Sequence, residues 1–498
     1  MLEIGYQLQR FERGKRLMTQ KLGRGIIYCL LLVIVLAGCS SKNGGGPSNV
    51  IDPDKPVTLK VAYINEQMFY QSYGNVFSAK YPNVQFEVIS TMETAMSEDP
   101  TQAMIDLIDE SQPDIVMLTM PQYETLAADG RLYELDSMVT QSGFELEQMV
   151  EGVVQLLRDA GGGKLYGLSP TFNTNALYYN KDLFTKYGIP EPTDFMTWEE
   201  VLKLAARFPT DGDADTRIYG LASSMFAQDA FQLIKDIAAA KGLNYLNADA
   251  TELTMSEPEW KEIFREVVGG YQEKTIHQPV PQQGGGMSFS SDSMLFNDGR
   301  AAMVVDNSSM INFMGGGMAV RAVTATSGSS TSSGQQEEVN RGVVTAPVDA
   351  ATPDMTSAYT VSQIFAINAS SPQTDMAWAF IQYVHGDEAA KIRSNTAMDL
   401  QSRLGYETNA SGTNLEPFYK LKPLPMETTR WYPKGFRSSF VTITNEEISA
   451  AASGSKSVDE AFEAIVSRGT EALAEANLSG EKEQGGDGGF AQGFIFGG

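Results

Sequence analysis

The sequence is poor in cysteine and histidine, the residues most often used for metal binding and nucleophilic catalysis. Its 498 residues include two cysteines and two histidines. Because Cys29 and Cys39 both lie near the N-terminus, the rest of the chain forms no internal disulfide. With only His277 and His385, the sequence has no His-Glu-x-x-His zinc motif. These absences exclude the commonest zinc hydrolases and disulfide-stabilised scaffolds.

Two further catalytic motifs are missing. The sequence has no Gly-x-Ser-x-Gly nucleophile elbow. Residues 161–164 (GGGK) resemble a phosphate-binding loop, but Leu165 follows where Ser or Thr is required, so a turn is favoured. Carboxylates are abundant, and a carboxylate pair for glycoside hydrolysis stays open.

Basic side chains are also few. Lysine and arginine total 37 against 62 acidic residues, which gives a formal net charge of −25. Such a chain repels nucleic acid and anionic lipid, so no nucleic-acid partner is predicted. Apolar residues make up 42% of the chain, and its length favours two or more lobes over one.

The N-terminal segment resembles the signal sequence of bacterial lipoproteins. Lys21 and Arg24 precede an apolar run over 26–37, and residues 36–39 (LAGC) resemble a lipobox. We therefore predict a signal peptide over 1–38, a lipid on Cys39, and a flexible linker over 39–56. The alternative is a transmembrane helix, but the run is shorter than the roughly 20 residues that a span needs. Met18 is an alternative start of the signal peptide.

Alternating strand and helix patterns follow this segment. Residues 57–64, 84–89 and 114–118 have the apolar patterns of strands, and residues 67–80 and 103–110 those of helices. This order predicts a parallel α/β sheet. The Ser/Thr-x-x-Glu patterns at 197–200, 256–259 and 457–460 each predict a capping box that opens a helix.

Three segments favour loops or tails. Residues 279–293 and 315–340 are rich in glycine and serine and predict mobile loops, and 479–498 predicts a disordered tail. No cofactor is predicted. Asp211, Asp213 and Asp215 alternate as in a calcium loop, but the ligand set is incomplete and a solvated turn is favoured.

Several segments together resemble the family 1 extracellular solute-binding proteins, the maltose-binding-like receptors of ABC sugar importers. They share short motifs with that family in the same order and spacing: 114–118 (DIVML), 126–132 (LAADGRL), 164–171 (KLYGLSPT), 176–184 (ALYYNKDLF), 192–200 (PTDFMTWEE), 296–303 (FNDGRAAM), 365–372 (FAINASSP) and 452–461 (ASGSKSVDEA). The resemblance covers most of residues 57–475. The chain departs from the family after residue 303, where the frequent Gly-x-Trp is missing.

The resemblance implies a two-lobed α/β fold of the periplasmic-binding-protein type (type II), with parallel-dominated sheets and hinge strands between the lobes. We expect lobe one over 57–170 plus 356–424, and lobe two over 171–355 plus 425–475. It further implies a monomeric receptor on the extracellular face of the cell membrane. Such a receptor binds a sugar or oligosaccharide and delivers it to ABC permease subunits.

Candidate ligand residues follow from the rule that ligands bind beyond the carboxyl ends of sheet strands. Carboxylates and amides suit sugar hydroxyls, and aromatic rings suit the C–H faces of a sugar. The polar candidates are Glu66, Gln122, Asn173, Asn175, Asp306, Asn307 and Gln363, and the aromatic ones are Tyr123, Phe172, Tyr359 and Trp431. No catalytic residue is predicted.

Two other functions stay open at this point. A surface glycan-processing enzyme needs two carboxylates about 5 to 9 Å apart across a cleft. A sensor lipoprotein that presents bound solute to a membrane kinase needs the same cleft as a receptor.

Overall fold

The computed structural model describes residues 55–213, 215–224, 229–279, 294–311, 340–394, 399–409, 412–425 and 431–484. The chain divides into two units, 1–50 and 51–498, and the described residues all belong to the second. The predicted signal peptide, Cys39, the linker up to residue 54, the glycine-rich segments 280–293 and 312–339, and residues 485–498 lie outside the described residues.

The strands are numbered in chain order. They are β1 Val57–Tyr63, β2 Val84–Ser90, β3 Ile115–Leu118, β4 Gly167–Leu168, β5 Thr171–Phe172, β6 Asn175–Asn180, β7 Tyr219–Ala222, β8 Ala301–Asn307, β9 Arg341–Thr345, β10 Met355–Thr356, β11 Ile364–Ile367, β12 Leu400–Gln401, β13 Lys422–Pro423, β14 Trp431–Pro433 and β15 Lys482–Gln484.

The α-helices are α1 Glu66–Phe69, α2 Asn75–Lys80, α3 Met92–Ala95, α4 Pro100–Ser111, α5 Met120–Ala128, α6 Asp136–Ser142, α7 Glu151–Ala160, α8 Lys181–Tyr187, α9 Trp198–Ala205, α10 Gln232–Ala240, α11 Pro258–Glu273, α12 Thr374–Val384, α13 Asp387–Arg393, α14 Phe436–Ala452 and α15 Val458–Leu478. A π-helical turn, Tyr70–Gly74, joins α1 to α2, and 3₁₀ turns lie at Leu146–Gln148 and Glu416–Tyr419.

The first sheet has the order β2-β1-β3-β11-β4. Strands β1, β2 and β3 are parallel, whereas β11 is antiparallel to both β3 and β4. Four of the five strands therefore run in one direction. All residues of β3 and β11 are buried, which explains why their sequences read as continuous apolar runs.

The second sheet has the order β7-β8-β6-β9. Strands β7 and β8 are parallel, and β6 runs antiparallel to both β8 and β9. Each sheet thus contains one reversed strand, β11 or β6. Each reversed strand comes directly after a segment that crosses from the other sheet. The chain therefore enters that strand at the end of the sheet where the neighbouring strands finish.

Two large hydrophobic clusters correspond to the two sheets. The first surrounds β1, β3 and β11 with α12, and it also covers one face of β6 and β8. The second packs the other face of β6 and β8 against α9, α11, α14 and α15. The two-lobed α/β fold is therefore confirmed, while the exact lobe boundaries stay a prediction.

Local signals have mixed outcomes. The capping boxes at Thr197 and Ser457 are confirmed, with each hydroxyl accepting from the N–H of the glutamate three residues later. The box at 256–259 is wrong, because α11 begins at Pro258 and its N-cap Glu257 makes no side-chain capping bond.

The tail prediction is wrong for residues 482–484, which pair as β15 with β14. Within the described ranges, no helix combines the length and apolar character needed to cross a bilayer.

Candidate functional site

Two chain segments cross between the sheets side by side. Residues 171–175 lead from the first sheet into β6, and residues 359–363 lead into β11. The N–H of Asn173 donates to the Thr360 carbonyl at 2.8 Å, and the N–H of Thr360 donates back to the Asn173 carbonyl at 2.9 Å. Strand β5 of the first crossing also pairs with β12. These bonds fix where the carboxyl end of the second sheet lies.

The polar candidates of the second sheet come together at this edge. Antiparallel pairing of β6 and β8 sets Asn175 opposite Asn307 and Ala176 opposite Asp306. The carboxamide of Asn173 binds Ser308, the residue after β8. The strand-end rule thus brings four predicted residues, Asn173, Asn175, Asp306 and Asn307, into one group.

Within that group, the Asp306 and Asn307 side chains have internal partners, as the Asn173 carboxamide does. Asp306 is buried, and its carboxylate accepts from the Ser224 hydroxyl at 2.9 Å and from the N–H of Asn307 at 2.8 Å. The Asn307 side-chain oxygen accepts from the N–H of Ser309 at 3.0 Å and from the hydroxyl of that residue. Asp306 therefore orients the Ser224 hydroxyl through a hydrogen bond.

A small recess opens beside Ser224 at the carboxyl ends of β7 and β8. Its interior has room for a group the size of about one water molecule. The polar lining consists of residues that follow β7, precede α10 or lie on α10: Ser223, Ser224, Asp229, Gln232 and Asp236. The rest of the lining is Trp198, Leu221, Ala222, Leu233, Tyr271, Pro279 and Val305. A single hydroxyl group of a larger solute fits such a recess.

Two aspartates, Asp229 and Asp236, make the lining of the recess acidic. Burial raises the pKa of Asp236 to about 6, although a hydrogen bond from the Gln232 amide at 2.8 Å opposes that rise. Asp229 is buried, and the Nζ atom of Lys235 lies 4.0 Å from the Asp229 carboxylate. The described lining contains no arginine or lysine.

A further carboxylate, Asp399, lies beside the crossing segments. Its Oδ1 accepts from the Asn173 amide at 3.4 Å. Burial raises the pKa of Asp399 to about 6, and the Asn173 hydrogen bond lowers it. The side chain thus titrates above the usual range of aspartate.

The predicted aromatic pair at the crossing is buried. The Phe172 and Tyr359 rings stack with centroids 5.1 Å apart and an interplanar angle of 8°. Both side chains are less than one-tenth exposed. The structure contradicts their predicted role as sugar platforms, because each ring packs the crossing instead of offering a free face.

The first sheet brings Glu66 and Gln363 to its own carboxyl edge. Glu66 is exposed in the first turn of α1, directly after the N-cap Asn65, whose side chain accepts from the N–H of Met68. Gln363 is half-buried and accepts from the Tyr73 hydroxyl at 3.0 Å. Both remain candidates for contact with a solute.

The ligand prediction is wrong for Gln122 and Tyr123. The Gln122 amide closes the capping box of α5, accepting from the N–H of Thr119 and donating to the Pro100 carbonyl. Tyr123 is fully buried and its hydroxyl bonds to the backbone of Leu157 and Tyr166. Helix capping and core packing therefore occupy these side chains.

Two other predictions concern sites away from the crossing. Trp431 lies half-buried on β14, which pairs with β15, so its role as a ligand platform stays a prediction. Asp213 uses its carboxylate to close a turn, accepting from the N–H groups of Asp215 and Thr216. In the described part of the chain, no cluster of three or more acidic, histidine or cysteine side chains is arranged to hold a metal.

Sequence reasoning missed the recess and Asp399. Ser223 and Ser224 follow β7 directly, so the strand-end rule would have identified them had β7 been recognised. Its four residues carry too little pattern to be assigned. Asp236 lies within a helix and Asp399 before a two-residue strand, and no sequence signal marks either one.

The comparisons with known proteins decide the family. The sequence model of the family of bacterial extracellular solute-binding proteins matches residues 60–391 of this chain. The chain belongs to this family. The relatives reported below are named as binding proteins.

Individual solute-binding relatives are distant. An arabinooligosaccharide-binding protein of Bacillus subtilis is 25% identical over 36% of this chain and 39% of its own length. An sn-glycerol-3-phosphate-binding periplasmic protein of Brucella abortus is 24% identical over 37% and 41%. The chain therefore spans about two fifths of the length of these curated relatives.

The fold likeness extends further. The crystal structure of a sugar transporter from Rhizobium etli, in an open conformation, is 21% identical and covers 83% of this chain and 99% of its own, with a TM-score of 0.57. At this identity the likeness shows the solute-binding fold alone.

Proposed function

We propose that this solute-binding protein is a lipid-anchored receptor that captures a sugar or oligosaccharide between its lobes and delivers it to an ABC permease. The observation that carries the proposal is the group of hydroxyl, amide and carboxylate side chains at the carboxyl end of the second sheet. It includes Asn175, Ser223, Ser224, Asp229 and Gln232. Such groups bind sugar hydroxyls as both donors and acceptors.

The charge of this group favours a neutral solute. Asp229 and Asp236 line the recess and Asp306 accepts from the Ser224 hydroxyl, while the Lys235 nitrogen lies 4.0 Å from the Asp229 carboxylate. A phosphate ester brought to these carboxylates would meet like charge and lose its hydration. We therefore assign the chain to the neutral sugars named by the arabinooligosaccharide relative, and not to the anionic solute named by the glycerol phosphate relative.

A thermal-shift screen of the full chain tests this assignment. The panel contains neutral mono- and oligosaccharides, mannitol, glycerol 3-phosphate, peptides and metal salts. A neutral sugar should raise the unfolding temperature, since a ligand that binds only the native state stabilises it. A rise with glycerol 3-phosphate, peptides or metals and none with any neutral sugar would contradict the assignment. Hydrolysis of the sugar during incubation would favour a glycan-processing enzyme instead.

The membrane anchor is a separate part of the proposal. A lipid on Cys39 and the linker that follows would keep the binding lobes near the permease and raise their effective concentration there. We expect the parent chain to incorporate labelled palmitate in bacterial cells and Cys39→Ser to lose that label. A parent chain that takes up no label would contradict the lipid anchor.

A further inference from the structure

The residue Asn173 joins three other segments of the chain, two through its side chain and one through its backbone. Its Oδ1 accepts from the Ser308 hydroxyl at 2.7 Å and from the Ser308 N–H at 3.2 Å. Its Nδ2 donates to Asp399 at 3.4 Å. Its backbone exchanges two hydrogen bonds with Thr360. One residue thus binds the end of β8, the segment before β12 and the second crossing.

These partners belong to different lobes as the sequence predicts them, Ser308 to the second (171–355) and Asp399 to the first (356–424). Ser308 is buried directly after β8 of the second sheet, and its N–H also donates to the Thr174 carbonyl at 3.1 Å. Asp399 precedes β12, which pairs with β5 of the first crossing. A rotation of one lobe against the other must therefore lengthen or exchange bonds made by the Asn173 carboxamide.

Buried polar atoms without a partner gather around the same crossing. Among the described residues, the Thr174, Tyr359 and Ser402 hydroxyls and the Gln401 amide nitrogen are buried and make no recorded hydrogen bond. Buried groups of this kind are costly unless water or another arrangement supplies a partner. The crossing is therefore a part of the molecule where a second arrangement has polar bonds to gain.

We propose that Asn173 is a positioning residue that holds the described lobe arrangement, so that its hydrogen bonds to Ser308 and Asp399 set the equilibrium between two lobe arrangements. This inference rests on the proposed receptor function, because it assumes that the lobes move. It makes no assumption about which solute is bound.

Interlobe distances measured without solute test the role of Asn173. Since both cysteines lie before residue 40, Cys29→Ser and Cys39→Ser leave the full chain free of thiols. Spin labels are then attached at Glu110→Cys on α4 and Glu262→Cys on α11, two exposed positions. We expect Asn173→Ala to raise the minor distance population by about tenfold or more, the size of effect that losing three hydrogen bonds produces.

Asn368→Ala is the matched control. The Asn368 amide is buried and equally well bonded, donating to the Pro113 carbonyl at 2.9 Å and accepting from the N–H of Ser370 at 3.0 Å. All its partners lie in the first lobe, so this variant loses stability without a change in the distance distribution. Ser308→Ala should shift the distribution in the same direction as Asn173→Ala, but less, and it serves where Asn173→Ala does not fold.

Each outcome bears on the proposal. Identical distributions for the parent chain, Asn173→Ala and Ser308→Ala would overturn it, as would an equal shift in Asn368→Ala. Because no solute is present, failure of the sugar assignment leaves the result intact. Conversely, a chain that binds sugar and shows no Asn173 effect loses only this inference.

Discussion

At the scale of single residues, buried carboxylates act on stability in opposite directions. Burial raises the pKa of Asp236 and of Asp399 to about 6, and no cation among the described residues donates a recorded hydrogen bond to either carboxylate, so ionisation of these groups costs stability. Burial also works to raise the pKa of Glu447, but hydrogen bonds from Lys456 and Arg468 outweigh it and hold the pKa below its usual value. A hydrogen bond from a cation thus decides whether the pKa of such a carboxylate lies above or below its usual value.

The Asp236 carboxylate should therefore destabilise the protein at neutral pH. Because its folded-state pKa is raised, the native state holds the proton longer than the unfolded state between about pH 4 and pH 6. Stability falls as pH rises through that window. We expect Asp236→Asn to remove this loss and to be more stable than the parent at pH 7 by about 2 kcal/mol in denaturant titrations.

Asp106→Asn is the control for this prediction. The Gln102 amide donates to Asp106 at 2.8 Å with the same i,i+4 spacing as Gln232 and Asp236, but this pair is exposed. Its substitution should change the unfolding free energy at pH 7 by no more than about 0.5 kcal/mol, because the pair is exposed. Parallel pH profiles for Asp236→Asn and the parent would show that burial of Asp236 has no energetic consequence.

Glu447 gives the opposite test. Arg468 donates at 2.7 Å to both Glu447, whose side chain is 6% exposed, and Glu446, whose side chain is 56% exposed. Glu447→Ala leaves two cations without their buried partner and should cost about 2 kcal/mol of unfolding free energy. Glu446→Ala should change it by no more than about 0.5 kcal/mol. Equal losses in chemical denaturation would refute the distinction by burial.

At the scale of elements, sequence patterns predicted long and regular segments well. The strands at 57–64 and 84–89 match β1 and β2 to within one residue, because apolar and polar residues alternate along most of each segment. The two-residue strands β4, β5, β10, β12 and β13 carry no pattern and were not predictable. Capping boxes succeeded at 197 and 457, and failed at 256 because Pro258 took the first helical position instead.

Two adjacent glycines of α11 respond differently to the same substitution. A Cβ on Gly270 would lie 2.3 Å from the Ile276 Cδ1 atom, whereas a Cβ on Gly269 meets nothing within 4 Å. Gly270→Ala should thus destabilise the protein by about 1 to 3 kcal/mol through overpacking. Gly269→Ala should stabilise it by about 0.5 to 1 kcal/mol through helix propensity. Thermal unfolding of the two variants measures the difference, and a stabilising Gly270→Ala would contradict the close packing of α11 on Ile276.

At the scale of the whole molecule, the strand-end rule predicted part of the site. It brought Asn173, Asn175, Asp306 and Asn307 together, because sheet topology alone puts the ends of neighbouring strands at one edge. It failed for Gln122 and Tyr123, whose backbone follows a strand while their side chains cap a helix and fill a core. Side-chain direction and burial are tertiary properties, and one sequence does not specify them position by position.

The same limit explains the missed recess. Its polar lining combines residues after β7 with residues of α10, and only folding brings these segments together. The resulting account is that a neutral sugar places a hydroxyl group in the acidic recess while the lobes close on the rest of the molecule. Gln232 lines that recess and is half-buried, so its removal tests the account with less disturbance than a change at buried Asp306.

Calorimetric titration of the full chain with the neutral sugar that raises its unfolding temperature most tests this account most directly. The account predicts saturable binding of one sugar per chain, and an affinity about tenfold weaker for Gln232→Ala, which loses hydrogen bonds to the solute. Glycerol 3-phosphate should give no binding heat. Tight binding of glycerol 3-phosphate, or sugar binding that Gln232→Ala leaves unchanged, would contradict a neutral-sugar site in the recess of the second sheet.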